Sequence, residues 1–204
     1  CSAVLLAMLG FFAIVTLIPF NIAKNSPTGD TNIQTPVVEN TTGGDSPAAD
    51  SREIQRIKLE AGACVRSDQV LEDSLAWLED TGEVKAAMDY FYDKTGIQPY
   101  LLICDSIDGK GGEITDAEAE IFLQGLYESL YDDEGHMIFV FMEYEESEYV
   151  TFLYTGVDAN NVMDADAREI FLANADWYYT DSSLSDEAYF AKIFRDSADD
   201  IMGK

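Results

Sequence analysis

Basic residues are scarce in this chain. Twelve lysines and arginines stand against 39 aspartates and glutamates, for a net charge of −27. A surface of that sign repels phosphate, which excludes nucleic acid as a routine partner and argues against anionic lipid head groups. Histidine occurs once and cysteine three times, with no Cys-x-x-Cys. A zinc site or a Cys/His nucleophile pair is therefore not expected. The G-x-S-x-G order of a nucleophile elbow is missing. Gly109-Lys110-Gly111-Gly112 shares only its composition with a phosphate loop, because it lacks G-x-x-x-x-G-K-[ST].

What is present begins with a long apolar run. Ala3 to Phe20 contains eighteen consecutive residues without a charge or an amide. At about 1.5 Å per helical residue this run reaches ~27 Å, near the thickness of a bilayer's hydrocarbon core. It reads as a membrane-spanning helix, since a cleaved signal peptide has a shorter apolar core and a small-residue cleavage site. Lys24 is the one basic residue between this run and Arg52. So sparse a downstream flank favours the non-cytoplasmic side for the C-terminal part of the chain. The next stretch is rich in Asn, Thr, Ser, Gly and Asp, with Pro27, Pro36 and Pro47 and no apolar period. The predicted organisation is a transmembrane anchor at 1–23, a disordered linker at 24–51 and a globular domain at 52–204.

Within that domain, helices and short apolar strands alternate. Val84, Ala87, Met88 and Phe91 predict one face of a helix over Glu83 to Thr95, stopped by Gly96. Tyr100 to Cys104 and Met137 to Met142 are continuous apolar runs, as expected of strands buried on both faces. Thr115-Asp116-Ala117-Glu118 has the capping-box order and opens a helix to about Tyr131, with Phe122, Leu126 and Leu130 predicted to face inward and Ile121 and Leu123 beside them. A strand–helix–strand unit of this kind makes two parallel strands with a right-handed crossover. Tyr149 to Tyr154 reads as a third strand, antiparallel to the second. Two more helices are predicted, over Asp164 to Tyr178 and after Ser185, the last with Tyr189, Phe190, Ile193, Phe194 and Ile201 in a stripe. The expected fold class is a three-layer α/β/α sandwich with a small mixed sheet, preceded by one transmembrane helix and a flexible linker.

Acidic residues gather in three places: Asp105 with Asp108; Asp132, Asp133 and Glu134; and Asp158, Asp164 and Asp166. The antiparallel return brings the end of the third strand toward the start of the second, so Asp133 and Asp158 are expected to be neighbours. A cation site is predicted on Asp133, Asp158 and Glu134, for Ca²⁺ or another divalent ion that takes oxygen ligands. The segment from Asp158 to Glu169 fails as an EF-hand loop, because Val162 and Met163 stand where an oxygen ligand and a glycine belong. His136, just before an apolar strand, reads as structural. Cys64 and Cys104 are either a disulfide, if the domain is extracytoplasmic, or buried small hydrophobes.

Several segments together resemble a known family. Lys94-Thr95-Gly96-Ile97-Gln98, running into an apolar strand, resembles the TG-x-Q segment that leads into the first core strand of TPM domains. Asp133-Glu134-Gly135 before Met137 is similar to their Asp-Asn-Gly turn, and Tyr154-Thr155-Gly156-Val157 to their Gly-Tyr-Gly segment. The closing helix with Tyr189 and Phe190 is similar as well, and the likeness runs from about Gln69 to Met202. The resemblance implies an α/β/α domain, extracytoplasmic or lumenal, beside a membrane helix. Its members are linked to membrane-protein repair, receptor accessory roles, acid phosphatase activity and divalent-cation binding. Three departures bear on the phosphatase activity. Glu134 replaces the usual Asn, Glu148 to Thr155 has no basic residue, and Asp158 stands where a glutamate is common. A phosphate ester would meet an almost wholly acidic site. The expected function is that of a membrane-anchored accessory or interaction domain whose partner is a membrane protein. The alternative is a metal-assisted, phosphatase-like hydrolase.

Overall fold

The computed structural model describes residues 56–203. The expected anchor and linker, residues 1–51, lie outside the described residues. Among the described residues no helix is long and apolar enough to cross a membrane.

In chain order the elements are β1 (Leu71–Asp73), α1 (Gly82–Thr95), β2 (Gln98–Cys104), α2 (Asp116–Leu130), β3 (His136–Glu145), β4 (Glu148–Thr155), a short 3₁₀ turn (Ala159–Asn161), α3 (Ala165–Tyr179) and α4 (Asp186–Met202). The four strands form one mixed sheet in the order β1-β2-β3-β4. β1, β2 and β3 are mutually parallel, and β4 returns antiparallel to β3. The described residues thus form an α/β fold built on a small mixed sheet with four helices.

The apolar runs are continuous because both faces of the sheet are covered. Side chains alternate along a strand, so each run divides between two cores. Leu101, Ile103, Met137, Phe139 and Phe141 face α1, α3 and α4, whose Phe91, Phe171, Phe190 and Phe194 are fully buried there. Tyr100, Leu102, Ile138, Val140 and Phe152 face α2 on the other side. Each fully buried Phe stabilises the fold by roughly 1.5–3 kcal/mol relative to exposure, so the three-helix side carries the larger share.

Local signals set the helix ends. Gly96 takes φ = 80° and closes α1, donating its N–H to the Tyr92 carbonyl. Thr115 and Glu118 form both halves of a capping box on α2, and Asp164 and Ser185 cap α3 and α4.

The structure corrects one expectation and decides between two alternatives for the cysteines. The inner face of α2 is Ala119, Leu123 and Tyr127, whereas Phe122, Leu126 and Leu130 are only half-buried and Ile121 is 72% exposed. The helix is turned so that the Tyr127 phenol reaches the start of β3. Its hydroxyl donates to the Asp133 carbonyl (3.0 Å) and accepts from the His136 N–H (3.2 Å). The disulfide alternative also fails, since Cys64 and Cys104 are both free and buried. Cys64 lies against the amino end of β2 and β3, and Cys104 ends β2. At about 3.3 Å per residue they are roughly 20 Å apart along the strand, far beyond disulfide reach.

Candidate functional site

Open α/β sheets usually carry their sites at the carboxyl ends of the strands. Here the chemistry-bearing cluster is at the amino ends. His136 is the first residue of β3 and pairs with Gln98, the first of β2. The chain preceding β1 is bound to the same place. Buried Gln98 accepts the Ser67 N–H (2.7 Å) and donates to the Ser67 carbonyl (2.9 Å), which fixes the segment carrying Cys64. Farther back, Leu59 N–H bonds the Thr95 carbonyl (2.8 Å), and Arg56 clasps Asp164 through two hydrogen bonds of 3.0 and 2.8 Å.

These anchorages bring Cys64, Asp133 and His136 together. One ligand atom from each lies within 4.8 Å of the others, an arrangement that could hold a metal ion. The Asp133 carboxylate accepts the Val65 N–H and the Gly135 N–H, each at 2.9 Å, and faces His136 Nε2 at 3.2–3.3 Å. The imidazole is wholly buried and lies flat on Tyr131, with ring centroids 3.6 Å apart and planes 6° from parallel. Cys64 Sγ is 3.7 Å from Nε2 and 3.8 Å from Nδ1. A sulfur equally distant from both nitrogens is aligned with neither lone pair. The contact is packing of the thiol on the imidazole rather than a Cys–His hydrogen bond.

Burial dominates the protonation of the cluster. It pushes the Cys64 thiol up to about 11. It also pushes His136 down, against the opposing pull of the Asp133 carboxylate. At neutral pH the pair is thus thiol and neutral imidazole. A nucleophilic cysteine needs the reverse, a thiolate beside a cation.

The residues expected from the sequence fall into two sets. Asp133 is in the cluster, with two unforeseen companions. Glu134 and Asp158 are beside it but outside the three-residue group. The Glu134 carboxylate accepts the Val157 N–H (2.9 Å), and its carbonyl accepts the Ala159 N–H (3.0 Å). The Asp133–Glu134 turn and the Asp158 turn are therefore in contact, while the exposed Asp158 side chain belongs to the rim. Asp105 accepts from the Ser106 hydroxyl (2.8 Å) at the opposite end of the sheet. Asp164 is committed to Arg56 and to capping α3.

Cys64 and His136 escape a reading of the sequence because 72 positions separate them and neither sits in a metal-binding spacing. A fainter signal is present in the glycines. A Cβ on Gly135 would collide with Ala63 and Cys64, and one on Gly156 with Tyr127 and Glu134. Both collisions mark where three segments crowd together.

No family model matches the chain, and no curated protein matches it.

Proposed function

We propose that this chain is an extracytoplasmic accessory or interaction domain, tethered to a membrane through residues 3–20, that binds a divalent cation at the Asp133 turn. The observation that carries the reading is the convergence of Asp133, His136 and Cys64 where the amino ends of the strands meet the preceding chain. The likeness to TPM domains supports the same reading, since cation binding beside a membrane helix is what that resemblance implies. Calcium would draw on carboxylate oxygens, with Asp133 joined by Glu134 and Asp158 from the neighbouring turn. Glu134 accepts the Val157 N–H on one carboxylate oxygen, which leaves the other to serve as a ligand.

Recognition is favoured over catalysis because the cluster's thiol and imidazole are both neutral and buried. The net charge of −27 also disfavours an anionic phosphate ester. The chain in detergent, assayed with a phosphomonoester and added Mg²⁺ or Ca²⁺, should show no turnover. Metal-dependent turnover lost in Asp133→Ala would establish the hydrolase instead. Protease treatment of intact cells should digest the domain, and its protection would refute the extracytoplasmic placement.

A further inference from the structure

We infer that Cys64, Asp133 and His136 form a site for a borderline-soft divalent transition ion of the Zn²⁺ class, with sulfur, oxygen and nitrogen each contributing one ligand. This rests on the cation-binding reading above and narrows it, because a thiolate and an imidazole select such ions over Ca²⁺ and Mg²⁺.

Two of the three separations suit one tetrahedral ion, and the third, from sulfur to carboxylate oxygen, lies within 4.8 Å. With zinc bonds of about 2.0–2.1 Å to N, 2.0–2.2 Å to O and 2.3 Å to S, tetrahedral angles put N···O near 3.4 Å and N···S near 3.5 Å. Nε2 is 3.2–3.3 Å from the Asp133 oxygens and 3.7 Å from Sγ. The sulfur, being as close to Nδ1, must swing off the ring toward the Nε2 lone pair. Cys64 sits in the turn before β1, where a side-chain rotation disturbs no strand.

Two further features fit. Tyr131, stacked on the imidazole, is only 8% exposed, and its buried hydroxyl has no hydrogen-bond partner among the described residues. An ion keeping one water as its fourth ligand would offer that hydroxyl an O–H donor from which to accept. Cys64 also lines an open cavity of about 280 Å³ with Lys58, Glu60, Tyr92 and Gly96, so solvent comes up to one of the three ligand residues. On binding, the sulfur forms the bond to the metal and the thiol proton leaves to buffer. Affinity therefore rises with pH.

The test is a Co²⁺ titration of the reduced, metal-stripped chain in detergent. A thiolate-to-cobalt charge-transfer band with the intense visible bands of a four-coordinate ion is expected, and Zn²⁺ should bleach both. The bands should persist in Cys1→Ser and Cys104→Ser and vanish in Cys64→Ser. Because Cys64→Ser could misfold, alkylation of the unaltered chain is measured peptide by peptide. Zn²⁺ at about ten times its dissociation constant should slow modification of Cys64 about tenfold, since only the metal-free fraction reacts. Absence of the charge-transfer band, or equal alkylation of Cys64 with and without Zn²⁺, overturns the inference. If Ca²⁺ still raises the melting temperature beyond what matched NaCl does, the broader cation reading survives that failure. Without any ion response, both fall.

Discussion

The imidazole of His136 lies flat on the phenol ring of Tyr131, at 3.6 Å between centroids and 6° from parallel. The stack seals one face of the imidazole, and Cys64 Sγ approaches both ring nitrogens. A protonated ring there loses its hydration, against which stand the Asp133 carboxylate and backbone hydrogen bonds at Val65 and Gln98.

The first prediction concerns acid sensitivity. Burial lowers the folded pKa of His136 below its unfolded value near 6.5. Below that pH the unfolded chain binds the extra proton, so stability falls as pH drops through 6.5 toward the folded value. Urea midpoints at pH 7.5 and 5.5 should differ less in His136→Gln than in the unaltered chain. The subtraction removes the carboxylates that both proteins share. An equal difference would show that His136 titrates as it does unfolded.

Alkaline conditions test the thiols in the opposite direction. Burial holds Cys64 and Cys104 up to about 11, from 9.0 when unfolded. The unfolded chain loses these protons first. Stability is therefore full below pH 9 and declines as pH rises from 9 to about 11, by up to ~1.4 kcal/mol per pH unit for each thiol. Cys104→Ala should remove one such contribution from the unfolding free energy measured across that range. An unchanged slope would refute the assignment.

Gly156→Ala should destabilise the domain by at least ~1–3 kcal/mol, as overpacking does. The new methyl collides with the Tyr127 hydroxyl, tied to Asp133 and to the start of β3, and with the Glu134 carbonyl, which accepts the Ala159 N–H. A chemical denaturation curve measures the cost. Gly125→Ala, on the surface of α2 with open space around its Cβ, should be neutral or slightly stabilising.

Gln98→Ala should release the segment that carries Cys64. It removes the bonds to both backbone groups of Ser67, and leaving such groups unpaired costs ~1–3 kcal/mol each when they are buried. Hydrogen exchange should show the Ser67 amide losing protection while the β3 amides keep theirs. Retained protection at Ser67 would mean that the Arg56–Asp164 and Leu59–Thr95 contacts hold the segment unaided.

Much of the architecture is legible in the sequence because its causes are local. The double-faced strands announce themselves as unbroken apolar runs at Tyr100 to Cys104 and Met137 to Met142. The helix ends come from a glycine that tolerates positive φ at 96 and from a reciprocal cap at Thr115 and Glu118. The contact between the Asp133 and Asp158 turns is also legible, because a hairpin return fixes which strand ends meet. Tertiary structure decided the rest. β1 is a three-residue edge strand whose Leu-Glu-Asp sequence has no strand period and exists by pairing with β2. The rotation of α2 is set by the bonds its Tyr127 makes to Asp133 and His136, which no amphipathic period encodes. The meeting of Cys64 with His136 depends on the Gln98 clamp, which draws a preceding segment onto the end of the sheet. Periodicity and capping act within a few residues and can be read along the chain, whereas a site assembled from positions 64, 133 and 136 exists only after packing has chosen which segments touch.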